Sequence, residues 1–437
     1  MHTYPKLIKN EQLNKQQLVV FFSMAILYLF YYFAKYNMGP AAKFIQEDFG
    51  LTSTSMGLMF SIFTLIYACG HFVNGFLGDK YGPKNIMILG ALGGAAANFS
   101  FGFAGDSFIW LTILWGVNGY FLSMGWAPGC SILYRWLPQN RWGQFMGIYS
   151  ALCFAGGAIV YPIAGYSITI WGWRAAFIVP PLFLVAWALF FMMVGKNAPE
   201  ETGDDPQWSV HEIEKKQDPK EKQRVINLQD YLYVFRNPLL NVANLAMMCS
   251  QFVRWGLLNW IIIILIEPIS TGGYGMDIVE AALTASLIHW GGALFSVVFG
   301  YVSDRLFKGQ RWQTIMAGFV VSSGILVFLA FQGTNITAKP GGFALLAFSL
   351  FLLGGCIHGV QVPLFNLPGD LLGYRLCGTG TGIMNGWSYI GASLAGVLLG
   401  WILDNQGYLG LLLVCASACF LGTAAAYSIK RRQNRNV

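Results

Sequence analysis

Apolar residues along this chain come in long unbroken runs. They show neither the one-sided stripe of a soluble helix nor the alternation of a half-buried strand. The runs fall at residues 17–37, 55–77, 84–104, 108–133, 142–168, 174–195, 237–266, 279–301, 313–333, 341–365, 379–402 and 408–429. Each reaches the roughly 20 residues that carry a helix across the hydrocarbon of a bilayer. The pattern predicts an all-α membrane protein of twelve transmembrane helices joined by short polar loops. The first run is longer than a signal-peptide core and no small-residue cleavage site follows it, so it is expected to be a retained span.

The pattern is interrupted once. Residues 196–236 are rich in charges of both signs, which predicts a linker between two sets of six spans: residues 1–195, the linker 196–236, and residues 237–437. From Val210 onward the linker has the character of a surface amphipathic helix. A repeat supports the division. After the second run the chain reads Gly75, Gly78, Asp79, Lys80, Gly82 and Lys84; after the eighth it reads Gly300, Ser303, Asp304 and Arg305, then Lys308 and Arg311. Glycine lets helices approach closely, aspartate suits a neighbouring helix N-terminus, and the basic residue anchors the loop to a leaflet. The alternative is a charged loop that only sets topology. Gly75, Asp79, Lys80, Gly300, Asp304 and Arg305 are thus candidate conformational-switch positions. Paired six-helix halves are a transporter architecture with the substrate site between them at midplane.

Composition agrees. Of 437 residues 55% are hydrophobic and only 11% charged, against about 25% charged in soluble domains. The net charge of +7 is spread over many short loops, which argues against a nucleic-acid surface. Lys6, Lys9, Lys15, Lys80, Lys84, Arg135, Arg141, Arg305, Lys308, Arg311, Arg375, Lys430, Arg431, Arg432 and Arg435 fall on one side of the predicted membrane. Lys43, Arg174 and Lys339 fall on the other. The positive-inside rule puts both termini in the cytoplasm and the chain in the cell's inner membrane. The eight cysteines sit in or beside apolar runs without metal-ligand spacing and read as small buried hydrophobes. No P-loop, nucleophile elbow, catalytic acid pair or metal motif is present, so no enzyme activity, cofactor or metal is expected.

Ionisable groups inside apolar spans are costly and are functional candidates. Lys35 lies near the end of the first run and Arg254 inside the seventh. These are equivalent helices of the two halves, so the two cations are placed to meet as an anion clamp, with arginine adding a fork for phosphate or carboxylate. Interfacial snorkelling is the alternative for Lys35, and a structural pairing for Arg254. Tyr28 and Tyr32 share a helix face with Lys35. His71, His289 and His358 lie in the second, eighth and tenth runs, as packing residues or as groups that contact or titrate with substrate. No carboxylate lies deep in a span, which favours anion exchange over proton symport.

The repeated loops resemble the signature of the major facilitator superfamily. Gly125, Trp126, Pro128, Arg135, Trp136, Arg141, Gly143, Gly156 and Gly157 resemble its organophosphate:phosphate antiporter branch, as do Pro199, Glu200 and Gly203. The resemblance implies that Lys35 and Arg254 stand at the two substrate-binding arginines, and that Tyr28, Tyr32, Tyr67 and Tyr389 are pocket tyrosines. It also exposes departures. His71 replaces a lysine and Cys153 a histidine. Tyr36, Asn259 and His289 replace a lysine, an aspartate and a glutamate, while His358 replaces a pocket tyrosine and is followed on its helix face by Gln361. Charges that balance one another are lost together, which leaves no orphan. The expected function is a monomeric carrier of a small organic anion, a phosphorylated metabolite in the first instance, exchanged for inorganic phosphate. A transporter-like sensor of an external sugar phosphate and a proton-coupled carboxylate carrier are the other readings.

Overall fold

The computed structural model describes residues 13–105, 107–138, 141–202, 228–307, 310–336 and 340–433. Eleven helical segments among them are long and apolar enough to cross a membrane. They are α1 (Lys15–Phe49), α2 (Ser53–Tyr81), α3 (Pro83–Gly102), α4 (Phe108–Trp136), α5 (Trp142–Trp171), α6 (Trp173–Val194), α7 (Pro238–Ile266), α8 (Ile278–Leu306), α9 (Arg311–Gln332), α10 (Gly342–Leu372) and α11 (Gly380–Arg431). Most of the charged linker lies outside the described residues, including its amphipathic stretch up to residue 227. A short helix, Leu228–Arg236, leads into α7.

The last segment accounts for the two final runs. At the end of α10, just before it, Asp370 accepts from Arg311 Nε at 2.9 Å. Asp404 then reaches the opposite end and accepts from the Ser53 and Thr54 backbone N–H groups, both at 2.8 Å. Lys430 returns to lie 4.7 Å from the Trp312 ring centroid. The chain therefore crosses twice, reversing about Gly407, which has φ +66. Among the described residues, the ten segments α1 to α10 and the two arms of α11 match the twelve predicted runs.

Helix α1 departs from the predicted run. It does not end at Asn37 but continues to Phe49 through irregular turns at Tyr32 and Asn37. Pro40 has no N–H to return to the Tyr36 carbonyl, which weakens the ladder here. Carboxamides from α3 and α4 compensate. Asn98 and Asn118 donate to the Ala34 carbonyl at 3.2 and 2.9 Å. Asn37 donates to Asn98 Oδ1 and the Ala176 carbonyl, both at 2.8 Å. The bend is thus bracketed by neutral amides with almost no solvent contact, and Lys35 lies within it, mid-segment.

The two halves meet along α2 with α11 and α5 with α8. A Cβ on Gly57 would collide with the Gly396 carbonyl oxygen, and one on Gly396 with that of Gly57. Ser61 Oγ donates to the Ser393 carbonyl at 2.6 Å and accepts from Val397 N at 3.0 Å. On the same side of the molecule Lys43 pairs with Glu267 at 2.5 Å, and Tyr161 donates to the Leu258 carbonyl at 3.2 Å. The end that carries Ser53 and Asp404 is sealed.

Asn98→Leu is expected to lower stability by about 2–4 kcal/mol, because it strips the Asn118 oxygen of its donor and Ala34 and Asn37 of one partner each. Thermal unfolding in detergent measures it. An unchanged melting temperature would contradict the bracketing role.

Candidate functional site

Lys35 and Arg254 come together between the halves through Tyr36 and Trp255, and Lys35 lines a small cavity there with Tyr36, Tyr161, Trp255 and Asn259. Lys35 sits roughly 30 Å along α1 and Arg254 roughly 24 Å along α7 at 1.5 Å per residue. The bend turns Lys35 inward, where it is 7% exposed, so it does not snorkel to an interface. Its ammonium is surrounded by π faces: Tyr67 at 3.9 Å from the ring centroid, Trp255 at 5.0 Å, Tyr32 at 5.4 Å and Tyr36 at 5.8 Å. Cation–π attraction of this kind is stronger when water is excluded.

Arg254 is held by neutral oxygens. Its Nη2 donates to Tyr36 Oη at 3.1 Å, and Nη1 to Gln361 Oε1 at 3.4 Å and Gln251 Oε1 at 3.5 Å. Its guanidinium carbon lies 5.7 Å from the Phe154 ring. The two cations are near enough to act on one another electrostatically. Among the described residues neither forms an ion pair with a carboxylate.

The predicted site residues fall into two groups that Tyr36 joins. Beside Lys35, the Tyr67 ring lies 4.5 Å from His71 and 5.3 Å from Tyr389, and Tyr389 Oη is 3.4 Å from His71 Nε2. Beyond Arg254, His289 lies 4.8 Å from Tyr36, 5.1 Å from Tyr161 and 6.2 Å from His358. His358 Nδ1 bonds the Gly354 carbonyl at 2.7 Å. Both His289 ring nitrogens, His358 Nε2, Asn259 Nδ2 and Arg254 Nε have no hydrogen-bond partner among the described residues. Gly157 makes room for the His289 ring, where a Cβ would come within 2.7 Å of it. Tyr28 is set further back, in an aromatic stack with Tyr32, Trp126 and Tyr149 at centroid distances of 5.0 to 5.9 Å.

Three side chains were not singled out from the sequence. Trp255 and Tyr161 line the small cavity beside Lys35, and Phe154 lies against the Arg254 guanidinium. The adjacency of Trp255 to Arg254 was the available signal for the first.

The switch positions are partly visible. The side chains of Gly75 and Asp79 lie outside the described residues. Gly78 packs on Pro128, where a Cβ would approach to 3.2 Å, and Lys80 is exposed over the Tyr81 ring at 5.1 Å. Gly300 has space around it, with Val362 as its nearest neighbour at 3.6 Å. Asp304 is half exposed and pairs with Arg311, which also bonds Ser303 Oγ at 3.1 Å and Asp370. Arg305 is exposed. Arg311 thus clips the ends of α8 and α10 to the start of α9.

Eleven apolar, membrane-length segments among the described residues, with a cation from α1 and one from α7 brought together between them, define a membrane carrier scaffold. The chain belongs to the Major Facilitator Superfamily, whose family model matches residues 24–396 and 247–436. A "Probable hexose phosphate transport protein" of Chlamydia pneumoniae is 27% identical over 95% of this chain and 92% of its own length. The "Glycerol-3-phosphate transporter" of Bacillus subtilis is 25% identical over 93% of this chain and 91% of its own. Among solved structures, a bacterial homologue of the human lysosomal transporter Spinster, inward-facing and occupied, superposes with a TM-score of 0.78 at 14% identity, covering 96% of this chain and 98% of that one.

Lys35→Met is expected to raise the melting temperature while abolishing anion binding. Burying an ammonium costs several kcal/mol, and π faces return only about 2 kcal/mol. A lower melting temperature would show that the lysine is instead part of the packing.

Proposed function

We propose that this protein carries a small phosphorylated organic anion across the plasma membrane by alternating access, in exchange for inorganic phosphate. The observation that carries the proposal is the meeting of Lys35 and Arg254, one from each half, through Tyr36 and Trp255, with no carboxylate paired to either among the described residues. An isolated buried charge is costly, so a bound anion is the natural complement to the pair. A dianion balances two charges, and a phosphate monoester offers a fork for Arg254 and a remaining oxygen for Lys35. The relatives named for hexose phosphate and glycerol 3-phosphate supply the substrate class.

Residues 1–195 and 237–437 act as the two rocking halves, joined by 196–236. The basic residues at the Lys80, Arg305 and Lys430 end favour a cytoplasmic location for both termini. The sealed Ser53 and Asp404 end is then periplasmic, and substrate exchange in this state proceeds through the other end. The chamber is built within one chain, which is consistent with a working monomer. Tyr36, Tyr67, His71, His289, His358 and Tyr389 surround the anion's organic part, with Tyr28 and Tyr32 behind them.

Arg254→Ala is expected to abolish uptake of glycerol 3-phosphate into proteoliposomes and its thermal-shift response, with the protein still monodisperse. Full uptake by that variant would refute the clamp. Thermal shifts with carboxylates but not with phosphate esters would refute the substrate class.

A further inference from the structure

Two adjacent pairs of residues face each other across the halves. On α1 stands Lys35 followed by Tyr36; on α7 stands Arg254 followed by Trp255. Each pair is a cation beside an aromatic ring, and the contacts are crossed. The α1 cation lies 5.0 Å from the α7 ring centroid, Lys35 Nζ on Trp255. The α7 cation donates to the α1 phenol, Arg254 Nη2 to Tyr36 Oη at 3.1 Å. The two rings themselves lie 6.1 Å apart.

We propose that these four residues form a reciprocal clasp that holds the anion-free carrier in one state and makes Trp255 a positioning residue for obligatory exchange. The inference rests on the anion-carrier reading above and deepens it. Lys35 and Arg254 are two like charges without carboxylates, so repulsion alone would push the halves apart. The crossed contacts reverse that sign. Each cation is stabilised by a group on the other half, so separating the halves strips both at once, and a cation–π contact is strong where water is excluded. A bound oxyanion competes for the same two cations. It draws Lys35 Nζ from the Trp255 face and Arg254 Nη2 from the Tyr36 phenol, and the cross-half attachment is released. An empty carrier keeps its clasp and does not return, which is the condition for exchange without net leak. Arg254 retains Gln251 and Gln361 on its own half, and Lys35 retains Tyr67 and Tyr32. The cations therefore have resting places once the clasp opens.

The test compares uptake of radiolabelled glycerol 3-phosphate into proteoliposomes loaded with inorganic phosphate and into phosphate-free ones. For the wild-type protein the loaded-to-empty ratio is expected to be about tenfold or more, the equivalent of roughly 1.4 kcal/mol. Trp255→Leu is expected to bring the ratio close to one by raising uptake into empty vesicles, and Trp255→Phe, which keeps a π face, to restore it. If Trp255→Leu is not monodisperse, Tyr36→Phe takes its place, because it removes the acceptor for Arg254 and keeps the ring. An unchanged ratio in whichever of these two variants is scored overturns the clasp, as does equal or no uptake by the wild type. Failure of the underlying reading looks different: the thermal shift with glycerol 3-phosphate would then be absent, or indifferent to Arg254→Ala.

Discussion

Two positive charges drawn into the interior with no carboxylate partner among the described residues are the constraint around which this molecule is arranged. In a membrane interior such groups are tolerated only where protein dipoles, π faces or a ligand replace the lost solvent. The chain supplies the first two sparingly. Four aromatic rings receive Lys35, and one phenol and two carboxamides receive Arg254. That compensation comes from neutral groups alone, and on the proposed reading an anionic solute completes it.

The scaffold serves this arrangement from a distance. The bend in α1 goes with Pro40, which interrupts the ladder, and with Asn98 and Asn118, which both donate to the Ala34 carbonyl while Asn37 ties the turn to Asn98. A straight helix would carry Lys35 elsewhere, so residues of α3 and α4 that never approach the chamber decide where its first cation points. Within the second half, Arg311 ties three helix ends into one unit. That end of the second half is thereby held as one piece.

Much of this was legible beforehand. The twelve runs were long, and the charge asymmetry and the repeated glycine–aspartate loops were independent of one another. Lys35 and Arg254 were conspicuous because charge is rare in such runs. What failed to show was geometric. Gly39, Pro40, Lys43, Glu47 and Asp48 look like the start of a loop after Asn37, yet the helix runs on to Phe49 because Lys43 finds Glu267 and the asparagines mend the break. Ending span 1 at Asn37 is therefore too early, and it is what leaves interfacial snorkelling open as the alternative for Lys35. Trp255 read as one aromatic among many, since its relation to Lys35 depends on how two helices from different halves face each other. The unpartnered nitrogens of His289 and His358 are likewise a property of packing and not of residue type.

The contact between Gly57 and Gly396 bears on how sharply the sealed end opens. Backbone lies against backbone there, with no long side chain to stretch and follow a receding neighbour. A gap of about 0.5–1 Å already forfeits a quarter to a half of the dispersion attraction, so this contact weakens at the first small displacement. The Lys43–Glu267 pair and the Asp404 caps at the same end act over a longer reach. Parting there is therefore ordered, backbone contact first and charge last.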